Sequence, residues 1–309
     1  MFWLSWGFNV SEISKHVPIM VNEILTFLNV GPGKNFLDLS LGGGGHTEAI
    51  LTKTSPDGLV IACDRDSSAL KRSKVKLSEY NDRIRYVKNN FKDVDRVIHQ
   101  HKDITLNGAM FDAGLSTDQL NDKQRGFSFL QESQLDMRMD ESSGLTAKEV
   151  LQQLSEKEIA DLIYVYGEER NSRKIARAIT DAKRKNELQT TSDFVRIIES
   201  ASKRTGRLHP ATKTFQALRI VVNNELEELR LGLLSLVSLL PAGARIAVIT
   251  FHSLEDRIVK NEFKNASRLK RVSVLTKKPV TPSRDEIKNN PRSRSAKLRA
   301  VEVLEKING

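Results

Sequence analysis

Four consecutive glycines, Gly42 to Gly45, follow the apolar run Phe36 to Leu41, and His46 closes them. Between a strand and a helix, such a loop lets a ligand approach the backbone closely and turns N–H groups at the helix start toward it. Asp64 stands nineteen residues past Gly45, at the end of the next apolar run, Leu59 to Cys63. An acid at that place accepts hydrogen bonds from ribose hydroxyls. Loop and acid together point to a cofactor that carries a nucleoside; the alternative is a tight strand–helix turn with no ligand.

The glycine spacing narrows the choice. A dinucleotide fingerprint needs Gly-x-Gly-x-x-Gly, but the last place is Thr47 counted from Gly42 and Glu48 counted from Gly43. No Gly-Lys-Ser/Thr follows, so a P-loop is excluded as well. The pattern that fits is an acid closing the first strand with alternate glycines behind it, Asp38-x-Ser40-x-Gly42-x-Gly44, as in methyltransferases. S-adenosylmethionine is therefore the expected cofactor, with Asp38 facing its methionine ammonium; NAD is the second choice.

These residues need elements to hold them. Val17 to Leu28 has helical periodicity, and Phe36 to Leu41, Leu59 to Cys63, Ile84 to Val87 and Gly108 to Phe111 read as strands. Thr47 to Lys53, Ser67 to Leu77 and Val94 to His101 are the helices between them, and this alternation predicts a right-handed, parallel α/β sheet. From about Leu115 to Ala211 only helical stretches follow (Ala147 to Leu154, Glu156 to Tyr166, Ser172 to Lys185, Ser192 to Lys203). The α/β rhythm returns with one helix from about Phe215 to Leu240, a strand at Arg245 to Thr250 and a helix at Ser253 to Ala266. Extended segments at Val272 to Thr276 and Leu298 to Leu304 end the chain. The expectation is a Rossmann-like sheet over 16–114 and 213–309, an all-helical insertion over 115–212 that recognises substrate, and an extension at 1–15.

Composition agrees with a globular protein of two units: 309 residues, 39% hydrophobic and 28% charged. No apolar run approaches the ~20 residues of a membrane span, and Met1 to Val10 lacks the basic start of a signal peptide. Cys63 is the only cysteine, so no internal disulfide forms and a cytoplasmic location is expected. The net charge is +10, and Lys264 to Ala300 holds twelve Lys and Arg against Asp285 and Glu286, so that stretch carries the whole excess. Its spaced arginines, Asn290-Pro291-Arg292-Ser293-Arg294, suit phosphates and point to nucleic acid over a merely solvated tail. Monomer and homodimer are both open.

Longer motifs carry a resemblance. His16-Val17-Pro18-Ile19-Met20, the run from Asp38 to His46, Arg125-Gly126-Phe127-Ser128-Phe129 and Leu135-Asp136-Met137-Arg138-Met139-Asp140 are four of them. Tyr166-Gly167-Glu168-Glu169-Arg170, His209 to Glu228, Phe251 to Arg257 and Asn290 to Ser295 complete the set. In this order, from about His16 to the C-terminus, the chain closely resembles the RsmH (formerly MraW) family. The resemblance implies a Rossmann-like methyltransferase with a helical insertion, acting on the exocyclic N4 of a cytidine in the decoding region of 16S ribosomal RNA. It places cofactor contacts on Gly44, Gly45, His46, Asp64, Phe91, Asp112 and Gln119. The chain departs from the family twice: Leu39-Ser40 stand for the usual Gly-Thr, and the usual Asp-Leu-Gly-x-Ser-Ser-x-Gln-Leu-Asp reads Asp112-Ala113-Gly114-Leu115-Ser116-Thr117-Asp118-Gln119-Leu120-Asn121.

A cytosine amine is a weak nucleophile because its lone pair is delocalised into the ring, so the enzyme must align it and accept its N–H bonds. With no Pro-Pro in the chain, the Asp/Asn-Pro-Pro-Tyr device of many amino-methyltransferases is absent. Asp112, or a carbonyl near Ala113-Gly114, is the candidate acceptor; the other reading confines Asp112 to the cofactor. Phe251-His252 could stack on or orient the base, or His252 could be purely structural. His209, Lys213, Arg219, Arg292 and Arg294 are the candidates for RNA. No metal is expected, because no His/Cys cluster has ligand spacing. An assembly factor that keeps the fold without catalysis, or a methyltransferase with another acceptor, are the rival functions.

Overall fold

The computed structural model describes residues 17–202 and 209–305; the expected extension at 1–15, and His16, lie outside them. Seven strands form one sheet: β1 Phe36–Asp38, β2 Val60–Asp64, β3 Ile84–Lys88, β4 Gly108–Asp112, β5 Arg245–Thr250, β6 Val272–Val274 and β7 Lys297–Val303. Their order is β3-β2-β1-β4-β5-β7-β6. The first five run parallel, as expected. β7 lies antiparallel between β5 and β6, which corrects the all-parallel expectation.

The central strands β2, β1, β4 and β5 are buried along nearly their whole length because both faces are covered, whereas the edge strand β3 exposes Arg85 and Lys88. Along β2, Ile61 and Cys63 face one core and Val60 and Ala62 the other. Helices α4 (Val94–Gln100), α11 (Glu225–Leu239) and α12 (Ser253–Arg268) cover the first face. Helices α1 (Val21–Phe27) and α2 (Gly45–Lys53) cover the second, with Leu77 at the end of α3 (Ser67–Lys76). The strand order reverses between β1 and β4, so a crevice opens at their carboxyl ends.

The insertion has its own core, built by α6 (Ala147–Gln153), α7 (Glu156–Gly167), α8 (Ser172–Arg184), α9 (Thr191–Ala201) and α10 (Ala211–Asn223), behind the short α5 (Thr117–Asn121). Thr146, Ser155 and Thr190 start three of these helices with capping boxes closed by Glu149, Glu158 and Asp193. The single helix expected from Phe215 to Leu240 is two. Asn224 adopts a left-handed φ of 49° and ends α10, so α11 leaves in a new direction onto the sheet. The boundary expected at 212/213 thus falls inside α10, whose Phe215, Ala217 and Leu218 belong to the helical core. Helix α13 (Arg284–Asn289), which no sequence pattern signalled, ties the chain start to the end: Glu286 accepts the Met20 N–H at 2.7 Å.

Where α7 crosses α10, the backbones touch. A Cβ on Gly167 would stand 2.7 Å from the Lys213 carbonyl oxygen. Gly167→Ala should therefore pry the two helices apart and cost about 1–3 kcal/mol of stability, read as a lowered thermal midpoint.

Candidate active site

A cleft of about 640 Å³ lies between the sheet's carboxyl ends and the helical unit. Its floor is the glycine loop. Asp38 is fully buried beneath it, with Oδ1 accepting the Ser40 N–H at 2.9 Å and the Ser40 hydroxyl at 3.3 Å, and Oδ2 accepting the Thr47 hydroxyl at 2.6 Å. Burial pushes its carboxyl above the usual range against the pull of those bonds. Asp38 does not line the cleft, which corrects the expectation that it faces an ammonium: its acceptors are used to shape the loop. Ser40 Oγ in turn accepts the Asp112 N–H at 2.7 Å, joining the ends of β1 and β4. The departure at Leu39-Ser40 is accommodated, since Leu39 is buried in the core without a positive φ and Ser40 supplies the hydroxyl.

Gly42 and Gly44 hold φ of 47° and 75°, the left-handed region that lets the loop double back. Gly42 lines the cleft with Gly45 and His46, while Gly44 sits behind as the N-cap of α2. His46 is buried, and its Nε2 donates to the Ile19 carbonyl at 2.8 Å. Asp64 reaches the cleft at the end of β2, accepting the Gly42 N–H at 2.8 Å on Oδ2 and the Asp66 N–H at 2.8 Å on Oδ1. Burial pushes its carboxyl up to about 6. Phe91 lines the cleft edge-on to Phe111, with the Arg65 guanidinium 5.4 Å from its ring centroid.

The opposite wall is the insertion's: Phe127, Phe129, Met137, Met139 and Phe215. Met137 is held at a φ of 61°, an unfavourable place for its side chain, by Asn223. Asn223 Nδ2 donates to the Met137 carbonyl at 2.7 Å, and Oδ1 accepts the Met139 N–H at 2.7 Å. Gln119 lines the junction, its Nε2 donating to Asp66 Oδ2 at 3.3 Å. Arg125 reaches the same oxygen at 3.3 Å and donates through Nη2 to the Arg138 and Met139 carbonyls at 3.1 and 2.7 Å.

Asp112 lies at the tip of β4. Its Oδ1 accepts the Gly114 N–H at 3.1 Å, and Oδ2 has no hydrogen-bond partner among the described residues. The Phe251 ring packs flat against Gly114, where a Cβ would be 2.5 Å from the ring. His252 caps α12: Nδ1 accepts the Glu255 N–H at 3.4 Å. Nε2 stands 3.0 Å from Glu255 Oε1, but too obliquely for a hydrogen bond, and so is buried without a partner. The ring is thus built into the turn rather than offered as a free base. Burial alone would raise the Glu255 carboxyl; His252 and Arg219 outweigh it and hold the group below its usual range. Arg219 lines the cleft with Nε and Nη2 donating to Glu225 at 2.9 and 2.8 Å. Ligating atoms of Glu225, His252 and Glu255 lie within 4.8 Å of one another, a metal-like spacing that the 26 residues between Glu225 and His252 hide in the sequence. Arg219 already supplies a positive charge there.

The other cationic candidates separate. His209 stacks on Phe129, with centroids 4.8 Å apart, and its Nε2 is 3.1 Å from Glu199; Lys213 donates to the Glu168 carbonyl at 2.9 Å. Neither lines the cleft. Arg292 and Arg294 are exposed, neither has an ion-pair partner among the described residues, and Arg292 stands at the cleft mouth. The basic stretch around them is no tail: it closes α12 and forms β6, α13 and β7, with Arg299 buried against Asp256 at 2.6 Å.

A family model described as the MraW methylase family matches residues 13–304. The chain belongs to that family. It is 45% identical over 293 residues to the ribosomal RNA small subunit methyltransferase H of Persephonella marina, covering 94% of this chain and 99% of the relative. The protein of the same name from Nostoc punctiforme is 45% identical over 300 residues, covering 96% and 97%. A solved putative rRNA-methylase from Clostridium thermocellum aligns at 14% identity and a TM-score of 0.45 over 92% of this chain and 93% of its own.

For a MraW methylase, four contributors to the cleft escaped the sequence reading: Asp66, Asn223, Glu225 and Glu255. Asp66 and Asn223 act through partners 59 and 84 residues away, while Glu225 and Glu255 converge on Arg219 from either side of α11 and β5. Asp64 yields a pH prediction. Its pKa of about 6 is raised by burial, so below that pH it is protonated and loses acceptor capacity toward the ribose hydroxyls expected at this place. Bound hydroxyls favour the anion, so affinity for S-adenosylmethionine should rise as pH climbs through about 6 and level off above. Calorimetric titration from pH 5 to 8 checks this, with Asp64→Asn flattening the profile.

Proposed function

We propose that this methylase transfers the methyl group of S-adenosylmethionine to the exocyclic N4 amine of a cytidine in the decoding region of 16S ribosomal RNA. The cofactor suits the cleft: the doubled-back Gly42 turn bares backbone, Asp64 offers acceptors, and Phe91 offers an aromatic face. A cavity of about 640 Å³ lies within the range of sites for ligands of this size. When bound, S-adenosylmethionine supplies an electrophilic methyl on sulfonium. Gly42, Gly45, His46, Asp64, Phe91 and Gln119 would hold it, with Asp38 and Gly44 shaping the loop from behind.

The observation that carries the reading is Asp112. One carboxylate oxygen is fixed by the Gly114 N–H, which sets the plane of the group, and the other has no protein partner among the described residues. That oxygen accepts an N–H of the amine, so the nitrogen lone pair recovers as attack proceeds, and it then takes the proton the alkylated nitrogen sheds. The Phe251 ring against Gly114 gives the base a flat surface beside that oxygen. His252 positions the turn, since its ring caps the first turn of α12.

A target base must leave its stack to enter such a cleft, which favours an unpaired site in assembled rRNA. Arg292 at the mouth and the exposed Arg294 near it along the chain contact phosphates, and the insertion supplies the second wall. The names of the 45%-identical relatives support a small-subunit rRNA substrate, and a ribosomal substrate supports a cytoplasmic location. No described helix is long and apolar enough to cross a membrane.

The test is methyl transfer from labelled S-adenosylmethionine to small ribosomal subunits from cells lacking this activity, with the RNA nucleosides identified by mass spectrometry. N4-methylcytidine at one site is expected; label in another nucleoside would refute the acceptor. Asp112→Asn should lower the single-turnover rate at least ~100-fold while changing cofactor affinity less than about threefold. Equal loss of both would confine Asp112 to cofactor binding.

A further inference from the structure

Arg219 is held in a way that suits a base and not a phosphate. It stands near the end of α10, the insertion helix that returns to the sheet, and lines the cleft beside Phe251 and His252. Glu225, one residue past the Asn224 break, grips Nε and Nη2 in a two-point contact at 2.9 and 2.8 Å. Glu255 stands 3.9 Å from Nη2, too far for a hydrogen bond but close enough to fix the charge. Both carboxylates are buried. The guanidinium is therefore locked in plane and orientation before any ligand arrives, and its outer edge, Nη1 with the remaining N–H of Nη2, has no acceptor among the described residues. A cation meant for phosphates keeps its reach, as Arg292 and Arg294 do on the exposed rim. One that is gripped from behind by a carboxylate and turned edge-out is a rigid pair of donors.

We propose that Arg219 reads the O2–N3 edge of the target pyrimidine and is the residue that makes the site specific for cytosine. This rests on the cytidine reading above. Cytosine presents two neighbouring acceptors, O2 and N3, next to its N4 amine. A donor pair on O2 and N3 leaves the amine at the far end of the same edge, where Asp112 can take its N–H. Uracil carries a hydrogen on N3, which would face a donor with a donor, so the locked guanidinium rejects it. Glu225 makes that rejection sharp, because a free arginine would swing aside. Arg219 thus acts by holding the base, with Glu225 and Glu255 as its positioning residues.

The experiment uses the whole protein, small subunits lacking the methylation, and matching subunits in which the target cytidine is replaced by uridine. Wild-type enzyme should form N4-methylcytidine on the first, and the second should compete for it roughly 10- to 100-fold more weakly, what a two-point base contact is worth. Arg219→Gln should reduce kcat/KM by a similar factor, leave S-adenosylmethionine affinity within about twofold, and let uridine-bearing subunits compete as well as cytidine-bearing ones. Because that change strands buried carboxylates, the double variant Arg219→Gln/Glu225→Gln serves as a second version with the charge relieved, and thermal melting confirms that either is folded. Arg219→Lys, which keeps the charge but not the planar pair, should also lose discrimination. If folded variants bind both kinds of subunit more weakly by the same factor, Arg219 contacts phosphate and the proposal fails. If they behave as wild type, it fails outright. If wild-type enzyme makes no N4-methylcytidine, it is the cytidine reading that falls first.

Discussion

The cleft exists because one buried arginine holds two cores together. Arg125 belongs to the insertion, and its anion, Asp66, caps α3, the helix that follows β2. Burying a guanidinium costs several kcal/mol unless its hydrogens find acceptors. Asp66 takes one, and the carbonyls of Arg138 and Met139 take others, leaving only Nε unpartnered. Asp66 also receives Gln119, and its own N–H goes to Asp64. The end of β2, the start of α3 and the aromatic wall therefore meet at a single carboxylate, and the spacing of the two walls is set there.

From that joint, three acids at adjacent strand ends divide the work by how each is solvated. Asp38 is sealed and satisfied, so it can only shape the loop. Asp64 holds the loop with one oxygen and faces the cleft, raised by burial to a pKa of about 6. Asp112 has one oxygen fixed and one without a hydrogen-bond partner among the described residues. Ser40 couples the first to the third, accepting from the Asp112 backbone while donating to Asp38. Three residues of one type thus have three chemistries, decided by their hydrogen-bond partners.

Much of this was legible in the sequence, for a physical reason: strands covered on both faces must be apolar throughout, and an acid at the end of such a run must stand at the sheet's edge. The runs ending at Asp38, Asp64 and Asp112 gave away the crevice in this way. What stayed hidden depends on partners remote in the chain. Strand direction leaves no local trace, so β7 was not foreseen as antiparallel. The apolar period runs unbroken through Asn224, whose left-handed φ alone splits α10 from α11. A cation's residue type does not reveal its partner, so His209 and Lys213 read as RNA candidates although Glu199 and the Glu168 carbonyl hold them. Arg219 was legible as a cation but not as a locked one, because Glu255 comes 36 residues later.

The most direct measurement compares Arg125→Lys with the wild type for S-adenosylmethionine affinity and for methyl transfer to small subunits, on protein shown to be folded by circular dichroism and thermal melting. A lysine keeps the charge but cannot span Asp66 and two carbonyls at once. If the joint sets both walls, cofactor affinity and transfer rate should each fall about tenfold or more, as the loss of charged hydrogen bonds worth roughly 1.5–3 kcal/mol implies. A folded variant that binds cofactor and methylates subunits like the wild type would contradict the account.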